Sequence, residues 1–242
     1  MLIYLRKGDS SSSRATNSEN AMLHIVATPI GNLGDITFRA VETLQNVDLV
    51  AAENTNTAMK LFKKFDIHTP LISFHAHSNE RKVEKLIQEM KAGKTVALIS
   101  EAGTPGISDP GFTLVRRAVE EGIQVIPIPG CCAAISALSA SGLPTDKFIY
   151  LGFLPLKKGR KKILESFCQE KKTTVFYESP HRILKTISEL AEILGDERRI
   201  VLAREITKMH EEFFRGSLVE AVEFLNSKKI RGEFTVLIEG VN

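Results

Sequence analysis

Tryptophan is absent from this chain of 242 residues, and tyrosine and cysteine occur only three times each. Cys131 and Cys132 are adjacent and Cys168 stands alone. That odd set gives neither a disulfide framework nor zinc-ligand spacing, and the cytoplasm is the simplest compartment. No apolar run reaches the ~18–20 residues that span a bilayer, so no membrane partner is expected. Charge of one sign is also missing. The 32 basic and 29 acidic side chains leave a net charge of +3, so any nucleic-acid footprint has to be local. Neither GxGxxG nor GxxxxGK[ST] occurs, which argues against an ordinary dinucleotide fold and a Walker-type NTPase.

The first residues, MLIYLRKGDSSSSRATNSENA, place a short apolar part ahead of the charges, the wrong order for a signal peptide. With little to bury, residues 1–21 read as a disordered leader or tag.

Hydrophobic residues make up 43% of the chain, enough for a sizeable core. From Leu23 onward short apolar runs alternate with amphipathic segments. LHIVAT, DLVAAE, PLISFH, TVALIS and IQVIPIP read as strands. In KVEKLIQEMKAG, Val83, Leu86, Ile87 and Met90 follow helical spacing and Gly93 supplies the stop. After GLPTD, a cluster of turn formers, charge rises and the alternation restarts. The expectation is two α/β domains, 22–143 and 144–242, with mainly parallel (mixed) sheets and a ligand cleft between them.

Three glycine-rich loops follow strands: TPIGNLGD (28–35), EAGTPGISDPG (101–111) and PGCC (129–132). Open α/β sheets bind ligands at the carboxyl ends of their strands. Glycine lets a ligand approach the backbone, and helix N-termini favour anionic or polar groups. The plain alternative for any one loop is a structural turn. Three at equivalent ends of one sheet is more specific, yet it names no ligand.

The strings IVATPIGNLGDITFRAVETLQNVDLVAAE, ISEAGTPGISDPG, IPIPGCCAAISALSASGLPTDKF, FYESPHR, LAREITK and GEFTVLIEG cover residues 22–242 discontinuously. They resemble the tetrapyrrole-methylase superfamily, in its branch that methylates ribosomal RNA on a ribose 2′-hydroxyl. The resemblance implies S-adenosylmethionine in the cleft, a homodimer, and a cytidine of the 16S RNA decoding region in the assembled 30S subunit as acceptor. It implies cofactor contacts at Pro29, Gly31, Glu101, Gly103, Thr104, Gly106 and Ile107. Pro129, Gly130, Cys131 and Ala133 would lie alongside, and Tyr177, Glu178, Ala203, Glu233 and Phe234 would close over the adenosine.

Such chemistry needs an oriented acceptor and a group to ease proton loss, and no metal. His75 and His77 have no evident third ligand. Candidate catalytic residues are Glu53, Glu101, Arg204, Glu205 and Lys208, with Asp109 also weighed. Each has a structural alternative: Glu53 as a helix cap, Asp109 as a turn former before Pro110, Arg204 and Glu205 as an ion pair. Glu53 is the first choice as base or orienting acid. The chain departs from the family's AEDTR here, reading AENTN with Asn54 and Asn56, and Glu101 stands where Asp is usual.

KKGRKK (157–162) has five basic residues in six. A solvated helix start would explain it, although positive charge opposes the helix dipole there. Phosphate contact would explain that cost, so Lys157, Lys158, Arg160, Lys161 and Lys162, with Arg182, are candidate RNA contacts. Phe74 and Phe153 could stack a base, with core packing the expected role for both. Two rivals remain open. A small-tetrapyrrole methylase would need an arginine-rimmed apolar cavity. A non-catalytic RNA-binding relative draws support only from Asn54 and Asn56.

Overall fold

The computed structural model describes residues 21–75 and 80–241. The leader expected over 1–21 (except Ala21) and His77 lie outside the described residues.

The first sheet is built from β1 (Met22–Val26), β2 (Leu49–Ala52), β3 (Leu71–Ser73), β4 (Thr95–Ile99) and β5 (Gln124–Ile128). All neighbours pair in parallel, in the order β3-β2-β4-β1-β5. A parallel sheet is covered on both faces, and the continuous apolar runs LVAA and TVALI suit that. On one face α1 (Phe38–Asn46) and α2 (Thr55–Lys64) bring Leu44 and Phe62 against Val26 and Ile99. On the other, α3 (Glu80–Lys91) and α4 (Phe112–Glu120) bring Ile87, Met90 and Leu114 against Leu23 and Leu98. Phe74 is buried in this second cluster, the core role expected for it.

The second sheet holds β6 (Phe148–Phe153), β7 (Thr173–Glu178), β8 (Arg199–Arg204), β9 (Glu212–Ser217) and β10 (Phe234–Ile238), in the order β6-β7-β10-β8-β9. Only β6 and β7 run parallel; the other three pairings are antiparallel. The sheet is therefore mixed, and the sequence alternation overstated its parallel share. The physical reason is β9, which the sequence does not mark. It follows β8 through a loop at 205–211 with no helix between, so it must return antiparallel. After α8 (Leu218–Asn226), β10 inserts between β7 and β8 rather than extending an edge.

Helices α6 (Arg160–Ser166), α7 (Ile183–Leu194) and α8 cover one face of this sheet over Phe176, Leu202 and Val236. The opposite face meets α5 (Ala133–Ser139), whose Ala134, Ala137 and Leu138 pack on Val175, Val201 and Leu237. Small side chains permit that close approach. Thus α5, which follows β5 in the chain, ties the two sheets together.

In the first sheet the connection from β1 runs toward β2, and that from β4 toward β5 on the other side of β1. The loops at 27–37 and 100–111 therefore leave the carboxyl edge in opposite directions. A crevice opens there, the usual ligand position in such sheets.

Candidate active site

The three glycine-rich loops converge at this crevice, joined by their own backbone. Thr28 and Gly103 exchange both amide–carbonyl hydrogen bonds, at 2.9 and 3.0 Å. The Thr104 hydroxyl donates to the Cys131 carbonyl at 3.0 Å. Gly103 sits at φ +82°, where a Cβ would come within 3.3 Å of Ile30, so this bridge favours glycine. The second sheet grips the same loops. Ser108 and Tyr150 hydroxyls are 2.7 Å apart, and the Ala134 amide donates to the Tyr177 hydroxyl at 3.2 Å. Asn32 donates its amide to the Thr207 hydroxyl at 3.1 Å. A Cβ on Gly31 would stand 2.8 Å from that hydroxyl and 2.5 Å from Lys208 Cγ.

Between the sheets lies a cavity of about 410 Å³. One wall is Gly103, Thr104, Ile107, Ser108 and Asp109, and the other is Phe153, Tyr177, Glu178, Glu205, Lys208, Glu233 and Phe234, with Cys132 and Ala133 at the start of α5. A second cavity of about 370 Å³ opens at the ends of β1 and β4, against α2. Thr28, Pro29, Gly31, Leu33, Thr57, Lys60, Leu61 and Glu101 line it. Ile30, Ala102, Lys208 and Glu233 belong to both walls, so the two cavities adjoin.

At that junction the Lys208 ammonium donates to Glu205 Oε1 at 2.9 Å and to Glu233 Oε2 at 2.8 Å. Burial alone would lower this ammonium's pKa, but the two carboxylates hold it above the ordinary lysine range. Burial likewise works to raise Glu205. The Lys208 and Glu233-amide hydrogen bonds outweigh it and hold the carboxyl below its ordinary value. Glu205 and Thr207 have φ of 52° and 66°, a left-handed pair of non-glycine residues at the cavity mouth.

Acid residues gather at the ends of β2 and β4. Glu53 Oε2 accepts from the Glu101 amide at 3.4 Å. Glu101 Oε1 accepts from Asn54 Nδ2 at 3.0 Å and from the Thr57 hydroxyl at 3.1 Å. Asn54 also caps α2, its oxygen accepting from the Asn56 and Thr57 amides. Asp109 is pushed up to about 6, first by burial and then by the Glu53 charge, against a lowering Ser100 hydrogen bond.

The structure brings many of the sequence-derived residues together, though not all. Gly103, Thr104, Ile107, Ala133, Tyr177, Glu178, Glu205, Lys208, Glu233 and Phe234 line the cavity between the sheets. Pro29, Gly31 and Glu101 line the second cavity. Gly106, Pro129, Gly130, Cys131, Ala203, Glu53 and Arg204 line neither. Arg204 pairs with Glu212 at 3.1 Å rather than with Glu205. Asn54, and not Glu53, is the helix cap. Phe153, expected in a core, is 57% exposed and stands on the cavity wall.

Glu178 shows the limits of reading a lining residue as a contact. Its side chain is 0% exposed and already satisfied. It accepts from the Ser179 amide, the Thr186 hydroxyl and the Arg182 guanidinium at 2.8, 2.8 and 2.7 Å. Arg160, 12% exposed, joins the cluster through Thr186 and Glu189. Two of the six candidate RNA contacts, Arg160 and Arg182, therefore have their charged heads engaged inside the protein. Lys157, Lys158, Lys161 and Lys162 remain exposed around the start of α6.

Sequence reading missed Ile30, Ala102, Ser179, Pro180, Ile206 and Thr235, each a chain neighbour of a motif residue. It also missed Thr57, Lys60 and Leu61, which carry no signal beyond the helical pattern of α2. Cys131 and Cys132 precede α5 as small helix-start residues, and all three cysteines are free thiols. Burial, followed by the nearby Asp35, keeps the Cys131 thiol above its ordinary pKa. Among the described residues, no helix is long and apolar enough to cross a membrane.

A family model described as tetrapyrrole (corrin/porphyrin) methylases matches residues 22–222. A protein of Synechocystis sp. named ribosomal RNA small subunit methyltransferase I is 50% identical over 90% of this chain and 79% of its own length. Proteins of the same name from Bacillus subtilis and Thermotoga maritima are each 47% identical. They cover 93% and 90% of this chain, and 77% and 98% of their own lengths. Among solved structures, a cobalt precorrin-4 methyltransferase superposes with TM-score 0.71 at 18% identity, covering 94% of this chain and 98% of its own. A diphthine synthase does so with TM-score 0.71 at 13% identity, covering 90% of each chain. At those identities the two structures speak for the fold alone.

Proposed function

This chain belongs to the tetrapyrrole (corrin/porphyrin) methylase family, and on that premise we propose that it is an S-adenosylmethionine-dependent methyltransferase of small-subunit ribosomal RNA. Its acceptor is the ribose 2′-hydroxyl of a cytidine in the decoding region of 16S RNA. The observation that carries the reading is the 47–50% identity, across most of the chain, to relatives bearing the ribosomal RNA methyltransferase name. Among the described residues no arginine lines either cavity, which disfavours a polycarboxylate tetrapyrrole as acceptor.

The cavity between the sheets fits the cofactor in size and in donor set. Phe153, Tyr177, Ile107 and Phe234 offer the apolar and aromatic surface an adenine needs. Gly103 and Thr104 bring backbone close, and the carboxylates of Glu205 and Glu233 suit ribose hydroxyls and a cationic centre. S-adenosylmethionine supplies an electrophilic methyl group on sulfur. The chain's own task is to align an acceptor oxygen at the junction of the two cavities and to remove its proton. Orientation of this kind is worth ~7–11 kcal/mol in well-aligned systems.

Lys208 is held as an ammonium, so it donates rather than accepts a proton. Glu101 stands on the wall of the second cavity beside Ala102, which both cavities share, and is the proton acceptor in this reading. Glu53 holds the Glu101 amide and acts as a positioning residue. Lys157, Lys158, Lys161 and Lys162 contact RNA phosphates. The halves 22–143 and 144–242 act as two domains of one protomer in a cytoplasmic homodimer whose partner is the assembled 30S subunit.

The test is methyl transfer from labelled S-adenosylmethionine to 30S subunits and naked 16S RNA from cells lacking the activity. Mass spectrometry should map the label to a cytidine ribose. Label on neither RNA, with cofactor binding retained, would overturn the reading.

A further inference from the structure

With the cofactor read into the cavity between the sheets, the second cavity is left over, yet it adjoins the first. Its walls meet the first through Ile30, Ala102, Lys208 and Glu233. Leu33 enters from the segment after β1, Glu101 from the end of β4, and Thr57, the exposed Lys60 and Leu61 from one face of α2. A volume of about 370 Å³ suits one nucleotide and no more of a folded RNA. RNA is read chiefly where a base is unstacked and splayed out of its strand.

We propose that this cavity takes the single unstacked nucleotide that is methylated, its base lying between Leu33 and Leu61 and its phosphate held by Lys60. The inference rests on the RNA methyltransferase reading. The ribose then lies at the junction, with its 2′-hydroxyl facing the cofactor cavity and within reach of Glu101. The hydroxyl oxygen forms the new bond to carbon, the carbon–sulfur bond breaks onto sulfur, and the proton passes to the Glu101 carboxylate. A cavity of this size needs an extruded nucleotide and cannot accept an intact helix. Glu101 is held for this by Asn54, whose amide gives the hydrogen bond that an aspartate there could not. Asn54 and Glu101 therefore work as a matched pair.

The test uses the full chain with 30S subunits as acceptor and S-adenosylhomocysteine as the cofactor-site probe. Lys60→Ala should raise KM for 30S subunits about 10-fold, lower the salt dependence of kcat/KM by about one phosphate contact, and be rescued by Lys60→Arg. Leu33→Trp fills the cavity from a half-exposed turn and should lower kcat/KM by about 100-fold. Both variants should bind S-adenosylhomocysteine within about twofold of the wild type. If the wild type methylates 30S subunits and both variants match it, the cavity is not the acceptor site. If both variants lose S-adenosylhomocysteine affinity instead, the cavity belongs to the cofactor and the proposal fails. A wild type that methylates no RNA overturns the function reading and this one with it.

Discussion

Among the carboxyl groups of the described residues, Asp109 is the one whose ionisation departs most from the ordinary. Its carboxyl is raised to about 6, so the folded chain holds that proton more tightly than the unfolded chain does. Stability should therefore fall as pH rises from about 4 through 6. Asp109→Asn should stabilise by the order of 1 kcal/mol at pH 8, a figure discounted for its half-exposed position, and by almost nothing at pH 4. Thermal melts at the two pH values check this, and an equal gain at both would refute it. A second residue-scale prediction concerns Asn54. Asn54→Asp keeps the α2 cap, because an oxygen still faces the Asn56 and Thr57 amides, but it places a carboxylate 3.0 Å from Glu101. It should destabilise by about 1 kcal/mol at pH 8 and lower kcat. Higher activity in this variant would show that Asn54 had weakened the site. The sequence marks Asn54 as a departure from the family pattern; it gives no sign that Glu101, distant in the chain, is its partner.

The basic run at 157–162 divides into two kinds of residue. Arg160 turns inward to a cluster containing a fully buried Glu178, while the four lysines stay in solvent. Arg160→Ala leaves Glu178 paired with Arg182 but strips the partly buried Glu189 and the Thr186 hydroxyl of their charged partner. It should cost about 2 kcal/mol, a fall in Tm of roughly 4–8 °C. Replacing Lys161 and Lys162 together by Ala should leave Tm nearly unchanged and weaken RNA binding most at low salt. Equal effects of the two changes on Tm would remove the distinction. Composition made the run visible, but the direction of each side chain depends on how α6 and α7 face β7. The missed β9 is a similar case. Its residues, EFFRGS, lie at a sheet edge with half-buried side chains, so no apolar run announces the strand.

The larger cavity exists only because two sheets meet. Gly31 marks the contact, where the loop after β1 presses on 206–208 with no room for a Cβ. Gly31→Ala should push these segments apart and weaken S-adenosylhomocysteine binding by at least about 10-fold, while each sheet keeps its own packed core. Calorimetric titration alongside far-UV circular dichroism checks both halves of that expectation. Unchanged affinity would mean that the contact does not shape the cavity. On the opposite side α5 performs the same joining role, through its alanines and the Tyr177 hydroxyl.

By itself the sequence determined the parallel first sheet, since continuous apolar runs separated by amphipathic helices leave little alternative. It also determined that three glycine-rich loops stand at one sheet edge, and it carried the family in those loops. Only the tertiary structure decided that β10 inserts between β7 and β8, that Arg160 and Arg182 are held by Glu178, and that Lys208 joins two cavities. The reason is one of range. Periodicity and loop chemistry act between near neighbours in the chain, whereas cavities and buried ion pairs are set by segments the chain brings together only after both sheets have formed.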